Sequence, residues 1–153
     1  TLFGLRYHVN ITTREEDTTF HDQVGYWLWE PATGLVMQTL AIPRGQVLLA
    51  SGQAKPGDDT ITVSATRGEV QYGICSTAFL EHAFRTDSYR ILIAFDGDDT
   101  FGYDITTMLT IRGLAEPFEH RDRNTLRRVA AAKPNPLKQI LDRRAAGGSP
   151  DSR

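Results

Sequence analysis

The sequence predicts an all-β fold, an antiparallel up-and-down β-barrel ending in an irregular C-terminal tail. Three observations predict it. Segments rich in Val, Ile, Thr and aromatic residues recur along the first 130 positions. Turns built on Gly, Pro and Asp separate them at short intervals. A late segment, residues 118–129, is polar on both of its alternating rows, which suits a strand lining a polar pocket better than one facing an oily interior.

Each element can be justified in order. Residues 2–13 carry β-branched and aromatic side chains with partial alternation, and residues 14–18 form a charged connection. Phe20–Glu30 is a second strand, with His21, Gln23, Gly25, Trp27 and Trp29 on one face. Gly25 marks a bend, and residues 31–34 close the strand in a turn. Leu35–Ile42 and Gln46–Ala54 follow, separated by Pro43, Arg44 and Gly45. After the turn at 55–59, Thr60–Arg67 alternates cleanly, and Gly68 and then Glu69–Gly73 follow it. Ile74–Phe84 breaks the pattern and reads as a short helix or an irregular loop. Ser88–Phe95, Phe101–Arg112 and Phe118–Val129 complete the set, with an Asp-Gly hairpin signal at 96–97. The barrel is expected over 1–130. Residues 131–153 form a tail, a short surface helix and then a disordered end.

Composition narrows the function. A chain of 153 residues suits one domain, and its net charge of −2 argues against a general nucleic-acid binder. The basic C-terminal end at Arg127, Arg128, Arg143 and Arg144 comes without an aromatic RNA-binding motif or a zinc finger. Cys75 is alone, so no internal disulfide forms, and a cytoplasmic setting is expected. No apolar run approaches the ~20 residues that span a bilayer. His8, His21, His82 and His120 make no short-spaced metal pair. Cys75 and Ser76 lack the surroundings of a nucleophile, and Cys75 is read as a small packed residue. Arg121 and Arg123 stand out, because alternation puts their guanidiniums on one face ~7 Å apart. Facing inward, the pair would clamp a carboxylate.

The segments 5–11, 20–31, 42–52 and 120–129 together resemble nitrobindin and its relatives, closest to a bacterial branch described as ferric nitrobindin-like. The resemblance covers most of residues 2–130. It implies a ten-stranded, calycin-type barrel related to fatty-acid-binding proteins. In nitrobindins the lumen holds ferric heme on a last-strand histidine, and the proteins bind nitric oxide and isomerise peroxynitrite. This sequence shows about eight strands and lacks the family's first-strand Gly-x-Trp-x-Gly motif, so the family's first strands are expected upstream of Thr1.

Aligned on residues 125–129, the iron-ligating histidine of that family falls on Arg121, and a protonated guanidinium does not normally ligate iron. His120 is adjacent, but one residue along a strand means the opposite face unless a bulge intervenes. Arg123 and Thr125 resemble in placement the Arg-x-Tyr pair of fatty-acid-binding proteins, with Thr in place of Tyr. The expectation is therefore a non-enzymatic binding protein for a small lipophilic, amphipathic or anionic ligand in the lumen. Arg121 and Arg123 would meet its anionic end, and Tyr7, His21, Gln23, Arg67 and Thr125 would line the pocket. No cofactor or metal is expected. The alternative is a heme-dependent peroxynitrite isomerase with His120 on the iron. Neither the natural ligand nor the oligomeric state follows from the sequence.

Overall fold

The computed structural model describes residues 2–14, 18–131, 133 and 136–145. The middle of the expected charged connection, 15–17, and the expected disordered end from 146 onward lie outside them. Among the described residues, nine strands and two helices run in the order β1 (Phe3–Thr12), β2 (Thr19–Glu30), β3 (Leu35–Ile42), β4 (Gln46–Gln53), β5 (Thr60–Thr66), β6 (Ile74–Ser76), α1 (Ala78–Ala83), β7 (Phe84–Asp96), β8 (Thr100–Ile111), β9 (Phe118–Arg127) and α2 (Pro136–Ala145).

Eight strands make one antiparallel sheet in the order β1-β2-β3-β4-β5-β7-β8-β9, with β6 pairing beside β5 on β4. The sheet curls into a half-barrel whose free edges, among the described residues, are β1 and β9. The all-β up-and-down reading holds, with an open sheet in place of a closed barrel. Glu69–Gly73 holds bends. Ile74–Phe84 divides into β6 and α1, and β7 begins four residues before Ser88.

Period-2 alternation selects the concave face. Val36, Gln38 and Leu40 are buried on β3, Leu48 and Ala50 on β4, Val63 and Ala65 on β5, and Tyr89, Ile91 and Ile93 on β7. Trp27, Trp29, Phe101, Tyr103 and Ile105 pack against this cluster. Each large aliphatic side chain buried here contributes about 1.5–3 kcal/mol. The register with β8 shifts between Thr86 and Ser88, so Asp87 is an extra residue on β7. The shift lets Thr86 and Tyr89, three apart, both be buried. Asp87 is held on the rim by Thr110 Oγ1 at 2.6 Å and Arg85 Nε at 2.7 Å.

Candidate functional site

Two environments share the concave face. The first is a polar network built around a missing side chain. In the β1–β2 register Tyr7 stands opposite Gly25. A Cβ on Gly25 would lie 1.9 Å from the Thr39 carbonyl oxygen and 2.9 Å from the Tyr7 ring. The absence of that atom lets the Tyr7 ring cross β2 and donate its hydroxyl proton to Thr39 O at 2.9 Å. The amides of Gln23 and Gln38 donate to the Tyr7 oxygen at 3.0 and 3.2 Å. Tyr89 donates to Gln38 Oε1 at 3.0 Å, and the His21 ring meets Gln23 Oε1 at 3.3 Å. Gln38 is only 2% exposed, and every one of these polar groups finds a partner. Burial pushes the Tyr7 phenol up, against the pull of the two glutamines, and pushes Tyr89 up further, with the Tyr7 phenol adding to it. Both phenols stay neutral donors at physiological pH.

The second environment is an apolar cavity of about 880 Å³ at one end of the curl. Phe3 and Leu5 of β1, Trp27 and Trp29 of β2, and Phe95 and Phe101 from β7 and β8 form its walls. Trp29 is anchored by its indole N–H to Ala54 O at 3.3 Å and lies 5.8 Å from the Phe3 ring. Lys55, Lys138 and Asp142 supply the charge in its lining. The volume is in the range of small-molecule sites, which are mostly apolar with few polar groups.

The register decides the faces of β9. Leu109, Thr107, Ile105, Tyr103 and Phe101 share the face of β8 that carries the packed Ile105 and Phe101. They stand opposite Phe118, His120, Asp122, Asn124 and Leu126. His120 and Asp122 therefore look onto the concave side. Asp122 accepts the Tyr103 hydroxyl at 3.1 Å. Burial raises the Tyr103 phenol, and the Asp122 charge and hydrogen bond raise it further.

Arg121, Arg123 and Thr125 lie on the other, convex face, and the expected inward clamp is corrected. Both guanidiniums bond one oxygen of Asp104, at 2.9 and 2.8 Å, and are 48% and 63% exposed. The physical reason is that Asp104 sits opposite Arg123 on β8, so the two arginines find their counter-charge outside the curl. Burial raises the Asp104 carboxyl, but the two arginines outweigh it and hold the group below its ordinary value. Arg123 and Thr125 line a second hollow of about 340 Å³ over Gly102.

Of the other expected pocket residues, Tyr7, His21 and Gln23 are brought together in the network, next along the sheet from Leu5 and Trp27. None of them lines the apolar cavity. Arg67 is held elsewhere, donating to Thr86 O at 2.9 Å and paired with Glu81 at 2.6 Å. Cys75, expected to be packed, is exposed on β6. Sequence reasoning missed Gln38 and Tyr89. Their signal was a lone Gln and a lone Tyr on the inner rows of otherwise apolar strands.

A family model described as THAP4-like, heme-binding beta-barrel domain matches residues 4–128. Searches of curated proteins and of solved structures returned no match. Heme iron needs an axial nitrogen, sulfur or oxygen donor from the protein. No His, Cys, Met or Tyr is among the described residues lining the large cavity, its Lys138 and Asp142 are paired with each other at 2.7 Å, and its Lys55 is an exposed ammonium with no lone pair to give to iron. That cavity does not fit an iron-liganded porphyrin. His120 of β9 and His21 of β2 face the concave side; His120 is exposed, His21 is held by Gln23, and neither lines the cavity.

Proposed function

The chain belongs to this family of heme-binding β-barrel domains, and we propose that it works as a non-enzymatic binding protein whose ligand is small and amphipathic. One observation carries the reading: the large cavity is walled by tryptophan, phenylalanine and leucine with charge only in its lining lysines and Asp142. The apolar body of the ligand fills that space, and its polar part stays clear of the aromatic walls. The neighbouring network spends the Tyr7 and Tyr89 hydroxyl protons on its own acceptors, and it stiffens the sheet beside the cavity.

The test is a titration with anilinonaphthalene sulfonate, read by energy transfer from tryptophan. The expected result is saturable binding that weakens about tenfold or more in Leu5→Asp, since a charge there faces the cavity. Leu5 is 65% exposed, so the fold tolerates the change. Absence of saturable binding would remove the reading.

A second reading is favoured by the register of β9, which turns His120 toward the concave side. In it His120 holds ferric heme and the activity is peroxynitrite isomerisation. Hemin titration separates the two. A sharp Soret band that disappears in His120→Ala selects the heme reading, and its absence excludes it.

A further inference from the structure

The apolar cavity is not walled by the sheet alone. Helix α2 supplies part of its lining through Leu137 and Leu141, one turn apart, with Lys138 and Asp142 beside them. The two leucines are 64% and 62% exposed although they face an apolar space, and Phe3 across the cavity is 54% exposed. A helix seated directly on a sheet would bury such residues. The open room between helix and sheet is the cavity, and an apolar body placed there is covered from both sides.

The charge in the lining is uneven. Lys138 is neutralised by Asp142 at 2.7 Å. The Lys55 ammonium has no ion-pair partner among the described residues; Asp58 is engaged by the backbone N–H of Lys55, and neither Asp58 nor Asp59 lines the cavity. One cation without an ion-pair partner among the described residues therefore belongs to the lining that the aromatic walls leave otherwise apolar.

Resting on the reading of this cavity as the ligand site, we infer that its occupant is an anionic amphiphile held tail-inward. Its head lies at Lys55 and α2 closes over its tail as a lid. The site thus takes its anionic group at Lys55 and not at the arginines of β9, which pair with Asp104 on the convex face. The ligand and the helix stabilise each other, because each buries apolar surface of the other.

The experiment compares decanoate, decanol and decyltrimethylammonium on the whole chain. The readout is the fluorescence of Trp27 and Trp29, which are the only two tryptophans and both wall the cavity. The expected order is decanoate tightest and decyltrimethylammonium weakest. Lys55→Gln removes the preference of decanoate over decanol, a change of about three- to fivefold, and leaves decanol unchanged. Leu137→Asp combined with Leu141→Asp weakens all three about tenfold or more. Decanoate slows amide hydrogen exchange in α2 of the unaltered chain. Equal binding of the three compounds, or a preference that survives Lys55→Gln, overturns the placement of the head. Unchanged affinity in the leucine variant, or unchanged exchange in α2, overturns the lid. Binding of none of the three overturns the cavity reading itself.

Discussion

The inner network at Tyr7 and the outer cluster at Asp104 are both knots of polar side chains on neighbouring strands, and they differ in what surrounds them. Inside, Gln38 and Tyr89 are shut away from water, and their hydrogen bonds are mandatory. Outside, the Arg121 and Arg123 guanidiniums that share Asp104 are 48% and 63% exposed, so water replaces the bonds they lose. The same short distances therefore carry large consequences on one face of the sheet and small ones on the other. Distance alone does not rank interactions; the cost of desolvation does.

The sharpest way to break this comparison is Gly25→Val. The new Cβ collides with the Thr39 carbonyl and displaces the Tyr7 ring, so the inner network cannot form. A loss of about 3–5 kcal/mol is expected by urea denaturation, a size reserved for backbone clashes and buried polar defects. A loss below about 1 kcal/mol would show that the network is not built on that gap.

Next comes Gln38→Leu, which strips the buried Tyr89 hydroxyl of its acceptor. The expected cost is about 1–3 kcal/mol, with part recovered when Tyr89→Phe removes the orphan. Additive losses in the double variant would mean that the two side chains act independently.

Ligand affinity gives a smaller but more pointed contrast. Removing both guanidiniums in Arg121→Ala with Arg123→Ala should leave dye affinity within about twofold, because both lie on the convex face. A tenfold loss would return the arginines to the binding site.

The smallest effect concerns acid. Arg121 and Arg123 hold Asp104 below the ordinary carboxylate value of 3.8, against the upward push of burial. Asp87 is likewise lowered: burial raises it, and the Thr110 hydroxyl with Arg85 and Arg67 outweighs that. A lowered native value means that the stabilisation is present above the unfolded carboxylate range and fades as pH falls through the native one. Urea midpoints should drop below about pH 4, and Asp104→Asn should flatten part of that drop. A parallel acid limb in the variant would show that Asp104 contributes nothing to it.

Much of the fold was legible because each strand carried its own period and each turn its own breaker. The register around Gly25, the bulge at Asp87 and the short pair of β6 with β4 were not, since they arise from contacts between distant segments. At the candidate site, Tyr7, Gln23 and His21, expected as pocket lining, meet in the hydrogen-bonded network and not in the cavity wall. Gln38 and Tyr89 were overlooked because a polar residue in an apolar strand has meaning only once its partner is known.

Local sequence by itself determined the strands and which residues travel together, so Arg121 with Arg123 and His120 with Asp122 were paired from the start. Only the tertiary structure decided which pair looks inward. Alternation along a strand is symmetric between its two faces, and the symmetry is broken by the apolar row of β8 on one side and Asp104 on the other. The cavity was likewise beyond local reading, because its walls come from β1, β2, β7, β8 and α2, segments far apart in the chain that meet only when the sheet curls.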